Sequence, residues 1–154
     1  MDATDVKILM ILQKNARTTN AEVAGRVGLS QPSTGERIRK LEEQGIIRRY
    51  AAQLDPRKAG RDITAFIDVF IEGTRNIPGF LERIQSLPEV LECHHVAGAA
   101  SYHLKVRTAN TSELERLVSQ DLKGIEGLRQ TITAIVLSTV KEETTIDLEV
   151  PGHE

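Results

Sequence analysis

Residues 30–45, SQPSTGERIRKLEEQG, constrain the fold more than any other stretch, because they specify one helix with a start, a stop and two faces. Ser30 suits an N-cap, where its hydroxyl accepts a hydrogen bond from an N–H that the first turn leaves unpaired. Pro32 falls in that first turn, where a missing N–H costs little. Gly45 is the stop, since glycine tolerates the left-handed conformation at a helix C-terminus. Thr34, Ile38 and Leu41 follow the i, i+4, i+7 spacing of a buried stripe. At about 100° per residue, Pro32, Ser33, Glu36, Arg39 and Lys40 point away from it, with Arg37 on the flank. The outer face begins small and polar and turns basic. A helix lying in a DNA major groove has that order, with base edges met near its N-terminus and phosphates by the cations. Gln31, Ser33 and Glu36 are therefore expected near base edges, and Arg37, Arg39 and Lys40 are expected to supply affinity.

The preceding residues extend the pattern. Thr19-Asn20-Ala21-Glu22 has the Thr-x-x-Glu form of a capping box. Val23, Ala24 and Val27 would line the inner side of a short helix, and Gly28-Leu29 makes a tight turn into Ser30. Helix, glycine-containing turn and second helix with a basic outer face is the helix-turn-helix arrangement. The plainer alternative is an αα-hairpin whose charged face is merely solvated. Upstream, Val6, Ile8, Leu9 and Leu12 predict a first helix over Asp2–Gln13, with Asp5 placed favourably for the helix dipole. Downstream, Ile46-Ile47-Arg48-Arg49-Tyr50-Ala51 is expected as a short strand or wing beside the DNA backbone.

Charge is distributed to suit such a head. The net charge is −2, yet residues 1–60 hold 11 Lys and Arg against 7 Asp and Glu, while residues 61–154 hold 9 against 15. A mildly basic N-terminal half beside an acidic remainder fits a polyanion-binding domain joined to one with another task. Aromatic residues make up only 3%, which argues against modules that stack single-stranded bases on aromatic platforms. The single cysteine, Cys93, excludes an internal disulfide framework and fits a reducing compartment. Ile8–Leu12 is too short for a signal peptide or a membrane span, so a cytoplasmic protein with no membrane association is expected.

Leu54-Asp55-Pro56-Arg57-Lys58-Ala59-Gly60 reads as a linker, and beyond it the periodicity changes. A strand is predicted from Ile63 to Glu72, and a helix from Pro78 carrying Phe80, Leu81, Ile84 and Leu87. Two strands follow, Val90–Ala97 and Ser101–Thr108, joined by a turn at Gly98–Ala100. A second helix starts at Thr111 with Leu114, Leu117, Val118 and Leu122, and a last strand runs from Leu128 to Val140. The order βαββαβ is the ferredoxin-like arrangement. Its sheet would have helices on one face only, leaving the other to be covered by a second copy. Ile67, Val69, Val106 and Ile135 are candidates for that contact, although alternation leaves open which set faces outward.

Taken together, Asp2, Asp5, Ile8-Leu9, Leu12, Asn15-Ala16-Arg17, Gly28-Leu29-Ser30, Arg37-Ile38, Leu41-Glu42 and Gly45-Ile46-Ile47 make the chain resemble the Lrp/AsnC family of transcriptional regulators. Glu92-Cys93-His94, Gly98 and Thr131-x-Thr133 carry the resemblance to the far end. It implies an α+β protein, with an N-terminal helix-turn-helix (winged-helix-like) domain joined to a C-terminal ferredoxin-like domain. Boundaries are expected at 1–52 for the first domain, 53–62 for a linker, 63–141 for the second domain and 142–154 for a tail. The resemblance further implies double-stranded DNA as partner, assembly into dimers and often octamers, and a small effector such as an amino acid. The effector site would fall at Gly98, Ala99, Ala100, Ser101, Thr131 and Thr133.

One departure bears on that site. The family turn after the glycine reads acidic, aromatic, Asp, aromatic; here it is Ala99-Ala100-Ser101-Tyr102. Ser101 offers no charge to an effector's ammonium group, so ordinary amino acids are expected to bind weakly or not at all, with a less cationic ligand or none in their place. His94, His95 or His103 would be the substitute polar partners. Thr131 and Thr133 equally suit plain β-propensity. Cys93, His94, His95 and His103 carry metal-ligand atoms. On a strand, however, Cys93 and His95 face one side and His94 the other, and no second cluster completes a site. No metal, cofactor or enzymatic motif is expected. The rival reading is a small-molecule or metal-binding module, which would have no use for the basic helix from Ser33 to Lys40.

Overall fold

The computed structural model describes residues 1–149, arranged as two compact units: Met1–Gln53 with the segment from Lys141, and Leu54–Val140. Residues 150–154 of the expected tail lie outside the described residues. In the first unit, α1 (Ala3–Lys14), α2 (Asn20–Val27) and α3 (Gln31–Glu43) are each started by a side chain. Asp2 and Asp5 form one capping box, and Thr19 and Glu22 another. Ser30 Oγ accepts from the Ser33 N–H at 3.3 Å. The α2–α3 turn passes through Gly28 at φ +73°, and its N–H donates to Ala24 O at 2.9 Å. Ile8, Leu9, Leu12, Val23, Ile38 and Leu41 form the core, with Ile47 and Leu148 packed against it.

Beyond α3 the expected strand or wing over residues 46–51 is absent among the described residues. Gly45 takes the left-handed conformation at φ +70°, and the N–H groups of Ile46 and Ile47 both donate to Leu41 O. The backbone thereby satisfies the open carbonyl of the helix end instead of pairing with a strand. The tail segment is anchored to this unit. Gln13 Nε2 donates to Ile146 O at 3.1 Å, and the Ile146 N–H donates back to Gln13 Oε1 at 2.7 Å. Gln53 Nε2 also donates to Thr144 Oγ1 at 2.9 Å.

The second unit contains β1 (Ile63–Ile71), α4 (Ile77–Ser86), β2 (Val90–His95), β3 (Tyr102–Thr108), α5 (Thr111–Arg116) continued by a π-helical turn (Leu117–Leu122), and β4 (Leu128–Ile135). The strands form one antiparallel sheet in the order β2-β3-β1-β4. Ala65, Ile67 and Val69 of β1 and Tyr102, Leu104 and Val106 of β3 pack with Phe80, Ile84 and Leu87 of α4 and with Leu114, Leu117 and Leu122. Ile67, Val69 and Val106, offered above as outward candidates, are therefore core residues. The other face presents Phe66, Asp68 and Phe70, with His103, Lys105 and Arg107 from β3 and Ile132 and Ala134 from β4. β4 is shorter than its β-prone sequence predicts. Its last backbone bond to β1 runs from the Val136 N–H to Thr64 O, and β1 begins at Ile63, so there is no strand left to pair with.

Candidate nucleic-acid interface and effector turn

α3 presents the outer face that its spacing predicts. Gln31, Ser33, Glu36, Arg39 and Lys40 are exposed, while Thr34, Ile38 and Leu41 are buried. Ser33 is fixed by the cap, since the Ser30 hydroxyl donates to Ser33 Oγ at 2.8 Å. Glu36 receives Arg39 at 2.8 and 3.0 Å and lies 3.7 Å from Lys40. These cations, Arg39 foremost, hold the Glu36 carboxyl below the usual carboxylate range. Arg39 also pairs with Glu43, so an exposed ladder of opposite charges runs along the helix. Ladders of this kind contribute little to stability, and a stronger anion can take their cations.

Arg37 turns the other way. Its Nη1 lies 2.7 Å from Asp5 and 2.8 Å from Asp2, so it binds α3 to the capping box of α1. The capping carboxylates thereby gain a cation partner across 32 and 35 residues of sequence. Arg48 and Arg49 are exposed with no side-chain partner among the described residues. They follow α3 directly in the chain, and the run Ile46-Ile47-Arg48-Arg49 is the signal that finds them.

At the effector turn, β1 gathers some of the expected residues. The Ser101 N–H donates to Val69 O at 2.9 Å, and Ser101 Oγ accepts from the Ile71 N–H at 3.2 Å. Its hydroxyl thus closes the end of β1. Thr131 lies opposite Val69 on the other side of β1, and Thr133 lies opposite Ile67. Gly98 and Ala99 are exposed and Ala100 is half-buried. The turn brings no carboxylate to this end of the sheet. His94 and His103 face one another on the open side, where His103 Nδ1 is 2.7 Å from Asp68 and stacks on Phe66. His95 lies on the opposite face against Tyr102. Burial raises the Cys93 thiol above its ordinary value. Among the described residues no three His, Cys, Asp or Glu side chains converge as a metal site, and no helix is long and apolar enough to cross a membrane.

Comparison with known proteins matches this geometry at both ends. Residues 1–48 fit the profile of a winged helix-turn-helix DNA-binding domain. Residues 64–146 fit that of the Lrp/AsnC ligand binding domain. The leucine-responsive regulatory protein of Escherichia coli is 36% identical over 146 residues, covering 92% of this chain and 88% of that protein. Its counterpart in Haemophilus influenzae is 35% identical, with 92% and 87% covered. A transcriptional regulator of Neisseria meningitidis, solved as a complex with L-methionine, superposes with a TM-score of 0.91 at 33% identity over 96% of both chains. Escherichia coli AsnC superposes with a TM-score of 0.87 at 30% identity, over 94% of this chain and 97% of that one. A capped helix-turn-helix and a four-stranded βαββαβ domain, matched along nearly the whole length, place this chain in the Lrp/AsnC family of DNA-binding transcriptional regulators.

Proposed function

We propose that this chain is a cytoplasmic, sequence-specific regulator that binds double-stranded DNA as a homodimer or a larger homo-oligomer. The observation that carries the reading is the outer face of α3, where exposed Gln31, Ser33 and Glu36 precede exposed Arg39 and Lys40. In this reading the first three meet base edges, and the two cations leave Glu36 and Glu43 for phosphates. Arg37, held by Asp5 and Asp2, sets the position of α3, and Arg48 and Arg49 add backbone contacts. The open face of the sheet pairs with the same face of a second copy, so that two reading helices address a roughly palindromic operator. A small effector bound by the C-terminal domain modulates this binding, in keeping with the L-methionine complex of the Neisseria relative.

The test is selection of duplexes from a randomised library, followed by fluorescence anisotropy on the selected site across a salt series. Replacing Arg39 or Lys40 by Ala should weaken binding and flatten the salt slope by about one unit for each phosphate left unneutralised. If both variants keep the affinity and slope of the parent, α3 does not meet DNA through this face.

A further inference from the structure

On the open face of the sheet one carboxylate stands in apolar surroundings. Asp68 lies on β1 between Phe66 and Phe70, which share its side of the strand. Ile132 of β4 is directly opposite it on one flank, and His103 of β3 on the other. Among the described residues no Lys or Arg reaches Asp68, and its one side-chain partner is His103, with Nδ1 2.7 Å away. Phe66 stacks on the His103 ring, the two planes 17° apart. Histidine is the side chain whose charge changes between about pH 5 and pH 8, so the charge facing this carboxylate depends on pH.

The other charges around His103 are arranged away from Asp68. On β2, His94 lies directly opposite His103, and its Nε2 is 3.2 Å from Glu92. Glu92 is in turn 3.4 Å from Lys105, the next β3 residue on this face. Arg107, beyond Lys105, lies opposite Thr64 near the end of the ladder.

In a single chain the Asp68 and His103 side chains are 41% and 39% exposed, so water solvates the carboxylate whether or not the imidazole is charged. A second copy laid on the face removes that water. Beside a neutral imidazole, the carboxylate would then carry an uncompensated charge into an apolar contact, which opposes assembly. Beside an imidazolium it is half of a neutral, charge-assisted pair.

We infer that the contact between two copies across the open face takes up a proton at the Asp68–His103 pair of each chain, so that assembly is tighter in mild acid than in mild alkali. The inference rests on the open-face homodimer proposed above and adds its regulation. The proton stabilises the assembled state, so its contribution is complete below the ordinary histidine range, about 6.5, and is lost as pH rises through and above it. Binding to an operator of two half-sites needs both heads and follows the same direction.

The full chain, labelled at its N-terminus, is diluted at fixed ionic strength at about pH 6 and about pH 8. Fluorescence-detected sedimentation reads the dissociation constant, and subunit exchange between two labelled pools gives the same comparison as a rate. The constant should be about tenfold or more larger at the higher pH, and exchange faster. Asp68→Asn removes the charge at nearly constant shape and should give a dimer that is tight at both values. His103→Gln should give one that is weak at both, whereas His94→Gln should keep the response of the parent. All three should fold, because the core lies on the other face of the sheet. The inference is overturned if the parent dimer does not respond to pH, if the response survives in both Asp68→Asn and His103→Gln, or if it is lost in His94→Gln instead. A chain that is monomeric at micromolar concentration at both values removes the open-face dimer as well, whereas a dimer indifferent to pH removes the proton uptake alone.

Discussion

Arg37 Nη1 lies 2.7 Å from Asp5 Oδ1 and so joins the middle of α3 to the first turn of α1. The same carboxylates close the α1 capping box. The Asp5 N–H, and then Arg37, hold the Asp2 carboxyl below its ordinary value of 3.8, and the Thr19 N–H and hydroxyl do the same for Glu22. A carboxylate depressed in the folded state contributes stability that is complete above its unfolded value and is lost as pH falls through the folded one. The N-terminal unit should therefore lose stability as pH falls through and below the ordinary carboxylate range. Arg37→Ala should lower its melting temperature at neutral pH and shrink that acid-induced loss. Circular dichroism melts across the acid range measure both, and a variant that melts like the parent at every pH would show that the bridge contributes nothing.

At Gly28 the backbone is left-handed, at φ +73°, and an added Cβ would meet no atom within 4 Å. Strain in the backbone alone then sets the cost of a side chain. Gly28→Ala should destabilise the first unit by about 1–2 kcal/mol, read by urea denaturation, with α3 otherwise unchanged.

Thr34 is fully buried in the same unit, and its hydroxyl has no hydrogen-bond partner. A buried, unsatisfied hydroxyl costs roughly 1–3 kcal/mol. Thr34→Val keeps the shape and removes the cost, so it should raise the unfolding free energy by about 1 kcal/mol or more. A decrease would mean that the hydroxyl is satisfied in solution.

Phe66 stacks on His103 on the open face, at a ring separation of 5.3 Å. If this face joins two copies, Phe66→Glu places a carboxylate beside Asp68 at the contact and should shift sedimentation from dimer toward monomer at micromolar concentration. The fold should survive, because the core lies on the other face of the sheet.

Local features were legible from sequence because local chemistry sets them. The Thr19–Glu22 box, the Ser30 cap and the stop at Gly45 each need only a few neighbouring residues. What alternation failed to reveal was direction. β1 is apolar on both sides, with Ile67 and Val69 on one and Phe66 and Phe70 on the other, so no periodicity distinguishes core from open face. The length of β4 failed for a related reason, since propensity continues through Leu137 and Val140 but the partner strand ends. Arg37 was placed on a flank by helix arithmetic, and its partners 32 and 35 residues away carry no mark of the pairing.

The hydrogen bonds between Gln13 and Ile146, with Leu148 against the first core, make the reading head discontinuous in sequence. During synthesis its three helices emerge early, yet Leu148, half-buried against that core, follows Ile47 by about a hundred residues. At ordinary elongation rates that delay is roughly 5–20 s. The C-terminal domain is translated within that interval. A nascent chain therefore completes the packing and hydrogen bonding around its DNA-binding head only after the intervening domain has been made.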